Sequence, residues 1–185
     1  MARTVKLLSS EDWERAALEA IAEGGLQGVA VEPLARRLGV TKGSFYAHFP
    51  DRSALIDAAL ARWEQVHVEA FVASLDREAE PIDKLRSLIS AAVAAVGTRT
   101  IQGRLLLESD DARVRAALKR VTELRLLRLE KIFGDLGHPA KPASRRAMVA
   151  YAAYIGLLQL AREVPERLGD EEALVKDLVE MLGHT

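Results

Sequence analysis

Apolar residues recur along this chain three or four positions apart, which is the spacing of one face of an α-helix. The first such face comprises Trp13, Ala16, Ala17, Ala20 and Ile21. The preceding segment Ser9–Asp12 resembles a capping box, in which a serine and an acidic side chain satisfy the first backbone N–H groups of a helix. The pattern therefore predicts a helix that begins after Ser9 and ends at the Gly24–Gly25 pair.

The same periodicity continues through the rest of the chain. It predicts further helices at about residues 31–38, 41–48, 52–75, 82–96, 101–108, 111–133, 143–162 and 171–182. Proline and glycine separate most of them, and the clearest loop is predicted at Gly134–Pro142. No segment gives a convincing strand, so the predicted fold class is all-α with about nine helices.

Two short predicted helices meet between Leu34 and Phe49. A helix-turn-helix needs a small residue where its helices cross and a residue free to turn where the first helix ends. Ala35 and Gly39 meet these needs, four positions apart. Apolar side chains are also needed at the positions where the second helix packs across the first, and these positions are occupied by Leu34, Leu38, Val40 and Phe45. His48 stands at the last expected core position, and we expect the adjacent Phe49 to fill that place.

The stretch from Gly39 to Leu55, Gly-Val-Thr-Lys-Gly-Ser-Phe-Tyr-Ala-His-Phe-Pro-Asp-Arg-Ser-Ala-Leu, resembles the signature of the TetR family of bacterial transcriptional regulators. The resemblance implies a helix-turn-helix DNA-binding domain over residues 1–50. It also implies a helical regulatory domain for ligand binding and dimerisation over residues 51–185. The expected function is that of a ligand-responsive repressor, which releases double-stranded DNA when a small-molecule effector binds.

Helical geometry divides the predicted recognition helix into two faces. Phe45 and Phe49 are four positions apart and should face the core, which leaves the other face for DNA. Ser44 can donate or accept a hydrogen bond at a base edge, whereas Tyr46 and His48 are expected to bond phosphates. The complete set of predicted DNA contacts is Arg3, Lys6, Arg36, Thr41, Lys42, Gly43, Ser44, Tyr46, His48 and Arg52.

Glu32 departs from the family pattern at the start of the predicted second helix. Proteins with this signature often carry a threonine there that can bond a phosphate, whereas a carboxylate repels one. Glu32 and Pro33 therefore leave open whether this helix start contacts DNA.

Composition limits the other functions that the chain could have. The 26 basic and 27 acidic residues give a net charge of −1, which argues against indiscriminate coating of nucleic acid. The absence of cysteine excludes thiolate metal sites and cysteine nucleophiles. Glu64 and His67 have the Glu-x-x-His spacing of di-iron bundles, but those bundles need a second such pair. We therefore expect no metal, no cofactor and no enzymatic activity. Since no segment resembles a targeting signal or a membrane span, we also expect no membrane association and a cytoplasmic location.

The predicted fourth helix follows the recognition helix directly and is the natural link to an effector site. Trp63, His67 and Phe71 lie one and two turns apart on it. We expect some of them to line the ligand pocket, with Tyr154 as a further polar candidate.

The last two predicted helices are unusually apolar. The stretch Ala147–Ala161 contains no charged residue, and a helix that is apolar on nearly all sides must be buried on nearly all sides. This pattern predicts a homodimer in which the helices of two copies form a four-helix bundle. The predicted interface residues are Ala152, Ile155, Gly156, Leu174, Leu178 and Met181. Such a dimer would present two recognition helices roughly 34 Å apart, or somewhat more, to a palindromic operator.

Two other classes of function stay open. A helical-bundle enzyme is disfavoured by the missing second metal pair, and a protein-interaction module could retain a DNA motif that no longer binds. A mobility shift with sheared genomic DNA separates both from a DNA-binding regulator.

Overall fold

The computed structural model describes residues 8–95 and 100–183. Within these residues the chain forms nine α-helices, two short 3₁₀ turns and no strand, which confirms the predicted fold class. The helices are α1 (Ser10–Gly24), α2 (Val31–Leu38), α3 (Lys42–Tyr46), α4 (Arg52–Asp76), α5 (Pro81–Ala94), α6 (Ile101–Leu106), α7 (Ala112–Asp135), α8 (Ala140–Glu163) and α9 (Glu171–Gly183). The 3₁₀ turns are Leu26–Gly28 and Pro165–Arg167. No described helix is both long and apolar enough to span a lipid bilayer.

The start of α1 has the predicted capping box. The Ser9 side chain accepts a hydrogen bond from the Asp12 backbone N–H, and the Asp12 carboxylate accepts one from the Ser9 N–H. These two bonds satisfy donors that the first turn of a helix otherwise leaves free. All five apolar residues predicted to form one face of this helix are buried.

The loop predicted at Gly134–Pro142 is shorter than expected, so this prediction was wrong at both ends. α7 extends to Asp135, and α8 already begins at Ala140 with Pro139 as its N-cap. Pro142 is the third residue of α8, where a missing N–H costs nothing because the first turn has no carbonyl to receive it. The helix break predicted at Gly97 lies outside the described residues.

The chain packs as two units that are not contiguous in sequence. The first unit comprises Met1–Gln65 and Arg99–Leu118, and the second comprises Val66–Thr98 and Lys119–Thr185. Both α4 and α7 therefore contribute residues to each unit. The predicted division at residue 50 concerns function and stays a prediction.

In the first unit, α6 and the residues after it pack against α1 and the turn that follows it. The Leu26 backbone N–H donates to the Glu108 carboxylate at 3.3 Å, and Arg104 forms an ion pair with the same carboxylate at 3.3 Å. At the start of α7, Arg113 lies 2.8 Å from Asp111 and donates to the Ser53 hydroxyl at 3.0 Å. These contacts tie residues 104–113 to the N-terminal helices.

In the second unit, α5 packs against both α8 and α9. The buried side chains of this core come from α5, α7, α8 and α9: Leu85, Ile89, Val93, Leu129, Ile132, Phe133, Ala143, Ala147, Val179 and Leu182. The four helices thus share one apolar core.

Candidate nucleic-acid interface

α2 and α3 form the helix-turn-helix that the sequence predicts. Gly39 ends α2 with a φ of 72°, a left-handed conformation that glycine adopts without steric cost. The Val40 N–H then donates to the Ala35 carbonyl at 3.0 Å, which closes the turn. Leu34 and Ala35 are buried beneath it, so the small side chain at position 35 lies where the two helices pack together.

Aromatic packing fixes the orientation of α3. Phe45 is fully buried, with its ring 5.4 Å from that of Trp13 and 5.9 Å from that of Phe49. Phe49 is 7% exposed, as expected of the residue that replaces His48 in the core. Since α3 spans only Lys42–Tyr46, this burial determines which of its side chains point to solvent.

The opposite face of α3 is open to solvent. Thr41, Lys42, Gly43 and Tyr46 are exposed, and Ser44 and His48 are partly exposed. Tyr46 is 56% exposed although it is a large aromatic residue. A Cβ atom added at Gly43 would meet only the Thr41 hydroxyl, at 3.6 Å, so the backbone here is accessible from outside. Six of the predicted DNA contacts, all within residues 41–48, are thus at least partly accessible to solvent.

Lys42 forms an ion pair that the sequence does not predict. Its Nζ lies 3.0 Å from Glu32 Oε1, which joins the first turn of α2 to the first residue of α3. This hydrogen bond raises the pKa of Lys42 and lowers the pKa of Glu32, and the attraction between the two charges adds to both shifts. From the sequence, Glu32 was expected only to repel phosphate. Its contact with Lys42 could not be predicted, because the two residues are ten positions apart and meet only once the two helices are packed.

The two arginines at the end of α2 have different surroundings. Arg37 lies 2.6 Å from Glu23 and 3.6 Å from Glu19, and its hydrogen bond to Glu23 raises its pKa. Arg36 is exposed, and its charge helps to lower the pKa of Glu32. Arg36 was among the predicted DNA contacts, whereas Arg37 was not.

Arg52 is directed towards the protein backbone. Its Nε donates to the Val29 carbonyl and its Nη2 donates to the Leu26 carbonyl, both at 2.5 Å. The guanidinium therefore holds the chain between α1 and α2 against the start of α4. Arg52 was predicted to contact DNA, and that role stays a prediction. Arg3 and Lys6, the other predicted contacts, lie outside the described residues.

The candidate effector residues are divided between the two units. Trp63 is 1% exposed in the first unit, while His67, Phe71 and Tyr154 are partly buried in the second. Burial raises the pKa of Tyr154, and the Arg125 guanidinium lies 5.6 Å from the centre of its ring. Their part in a ligand pocket stays a prediction.

The predicted dimer residues lie on helices with much exposed apolar surface. Met148, Val149 and Leu160 on α8 and Met181 on α9 are between 46% and 63% exposed. The predicted interface residues differ among themselves: Ala152 and Met181 are exposed, and Ile155, Gly156, Leu174 and Leu178 are partly buried. Leu174 and Leu178 also pack against the core of the second unit.

Comparison with known proteins agrees with this geometry. Residues 15–59 match the family model described as bacterial regulatory proteins, tetR family. The chain is 27% identical over 128 residues to the nucleoid occlusion factor SlmA of Haemophilus ducreyi. That match covers 61% of this chain and 63% of SlmA, so the chain spans less than two thirds of this curated relative.

Solved structures share the fold over nearly the whole chain. A transcriptional regulator from Rhodococcus sp. Rha1 superimposes with a TM-score of 0.72 at 22% identity, covering 95% of each chain. FadR from Bacillus subtilis, solved in complex with stearoyl-CoA, gives a TM-score of 0.70 at 17% identity and covers 96% of this chain and 100% of its own. The helix-turn-helix geometry and the family match show that residues 15–59 are similar to the tetR family of bacterial regulatory proteins, and the superpositions show that the chain shares the fold of solved transcriptional regulators.

Proposed function

We propose that the protein is a ligand-responsive transcriptional repressor, which binds a palindromic operator as a homodimer and acts in the cytoplasm without enzymatic activity. The observation that supports DNA binding is the orientation of α3. Burial of Phe45 and Phe49 leaves Lys42, Ser44 and Tyr46 on the outer face. A short helix presented in this way can enter a major groove, while the exposed hydroxyl and ammonium groups hold the flanking phosphates.

Selection of bound fragments from the native genome tests DNA binding directly. We expect the selection to recover a palindromic site. A footprinting assay on that site should show that the protein protects both halves from cleavage. In a salt series, Tyr46→Ala should weaken binding to all sequences, because the tyrosine hydroxyl is expected to contact phosphate. Ser44→Ala should instead change the preferred sequence. Affinity and preference that stay unaltered in both correctly folded variants would contradict this use of α3.

The homodimer is supported by the exposed apolar side chains of α8 and α9. Four large apolar side chains on these two helices are more than 40% exposed: Met148, Val149, Leu160 and Met181. Exposed apolar surface of this kind is unusual for a monomer and typical of a surface that another chain covers. Gly156→Arg with Met181→Glu places charge on this surface, and Met181 is 63% exposed, so its substitution spares the core. Light scattering at micromolar concentration should report a dimer for the native protein and a monomer for the variant. A monomeric native protein would refute the dimer.

The effector site is proposed in the second unit, near His67, Phe71 and Tyr154. These partly buried side chains combine apolar surface with polar groups, which is the usual lining of a small-molecule site. An effector can release DNA only if it binds the DNA-incompetent state more tightly. Phe71→Ala should therefore reduce the response to the effector while DNA affinity stays near the native value. A structure with a ligand that contacts only α8 and α9, and therefore neither His67 nor Phe71 on α4, would contradict this placement.

A further inference from the structure

Glu32 lies between two cations of the helix-turn-helix. Lys42 Nζ is 3.0 Å from its carboxylate, and Arg36 follows it by one helical turn on α2. Glu32 and Lys42 are 65% and 51% exposed, so both side chains are accessible to a DNA backbone that approaches this surface. The ion pair therefore occupies part of the surface that the proposed function assigns to DNA.

Other basic side chains of this region also have partners within the protein. Arg37 is held by Glu23 at 2.6 Å and by Glu19 at 3.6 Å, and Arg52 donates to two backbone carbonyls. Basic side chains normally supply the sequence-independent part of DNA affinity, because each phosphate they neutralise releases a counterion. Here Lys42, Arg37 and Arg52 already have partners within the protein.

We propose that Glu32 limits the DNA affinity of this protein by holding Lys42 in an ion pair that must be exchanged for a phosphate when DNA binds. Lys42 then gains a phosphate partner only by losing a carboxylate partner, and the carboxylate left behind repels the DNA backbone. The net gain in charge interaction is small, and the effect is independent of base sequence. This inference rests on the proposed DNA-binding function and adds a residue that acts against it.

Glu32→Gln tests the inference, because the amide keeps the shape of the side chain and removes its charge. We expect binding to the selected operator and to a random duplex of equal length to strengthen by similar factors, about 5- to 10-fold at moderate salt. The slope of log affinity against log salt should steepen by about one unit for each recognition helix. Glu32→Ala serves as a second variant with the same expected direction.

A double-mutant cycle identifies Lys42 as the residue through which Glu32 acts. Lys42→Gln should weaken binding by less than about 3-fold in the native background and by about 10-fold in the Glu32→Gln background. A merely structural role for Glu32 would not produce this dependence. Equal losses in the two backgrounds would overturn the inference.

Glu123→Gln is the matched control. Glu123 is 63% exposed and pairs with Lys119 at 3.7 Å in the second unit, so its substitution removes the same charge from a comparable ion pair. It should leave affinity within about 2-fold of native. If Glu32→Gln behaves like Glu123→Gln while the native protein binds its operator, the inference fails and the proposed function stands. If neither the native protein nor the variants bind any genomic fragment, both fail.

Discussion

Arg52 can be tested for a structural role against its predicted role in DNA binding. Its guanidinium donates to the carbonyls of Leu26 and Val29, which belong to the connection between α1 and α2. Both hydrogen bonds are partly buried, so water replaces them incompletely once the side chain is shortened. We therefore predict that Arg52→Gln destabilises the first unit.

The magnitude follows from the two hydrogen bonds. A bond that involves a charged group contributes about 1.5–3 kcal/mol, and partial access of water to both carbonyls brings the expected loss to about 2–4 kcal/mol in total. For a chain of this length, each kcal/mol shifts the melting temperature by about 2–4 °C, so Arg52→Gln should lower it by about 4–16 °C. Arg52→Lys keeps the charge but cannot reproduce both guanidinium hydrogen bonds, so its melting temperature should lie between those of the native protein and Arg52→Gln.

Tryptophan fluorescence is the appropriate assay. The chain has two tryptophans, Trp13 and Trp63, and both are buried in the first unit. Their emission therefore reports unfolding of that unit, whereas far-ultraviolet circular dichroism reports all the helices. Arg36→Gln is the matched control, because Arg36 is exposed and its loss should change stability by less than about 0.5 kcal/mol. Unchanged fluorescence melting of Arg52→Gln together with lost DNA binding would refute the structural role and support a direct DNA contact.

Three further predictions concern packing and charge in the same unit. Gly28→Ala should destabilise it by at least about 1 kcal/mol in a denaturant titration, because the new Cβ would lie 2.6 Å from the Ala20 carbonyl oxygen and backbone must shift. Phe45→Ala should cost about 3–5 kcal/mol in the same titration, whereas Tyr46→Ala, at an exposed position, should cost less than about 0.5 kcal/mol. Arg113 donates a hydrogen bond to the Asp111 carboxylate and holds the pKa of that carboxyl at about 2, below the ordinary value of 3.8. The stability that this provides is therefore present above about pH 4 and lost as the pH falls towards 2, and Asp111→Asn should remove that part of the acid dependence of unfolding.

The backbone of the candidate interface could be predicted from the sequence because its determinants are local. The turn needs a residue free to adopt a positive φ, and Gly39 has a φ of 72°. The two faces of α3 follow from the spacing of Phe45 and Phe49, and both rings are buried as expected. Such features depend on residues within a few positions of one another, where helical periodicity is informative.

The charge arrangement of the same surface could not be predicted in this way. The partners of Arg37 and Lys42 are 14 and 10 residues away, and those of Arg52 are 23 and 26 residues away. Flexible side chains of this kind find their partners only after the helices have packed, and no sequence period indicates which carboxylate or carbonyl will be in reach. The sequence thus identified the basic residues near the signature, but three of them are engaged within the protein.

The family signature and the packing unit that contains it do not have the same limits. The family match covers residues 15–59, yet the first unit also includes residues 99–118. Glu108 accepts a hydrogen bond from the Leu26 N–H, while Arg52 donates to the Leu26 carbonyl, so this one peptide segment is held from both sides. Arg52 is the first residue of α4, whereas Glu108 follows α6. Because the segment connects α1 to α2, we expect the position of the helix-turn-helix within its unit to depend on Glu108, which lies well outside the signature, as well as on Arg52.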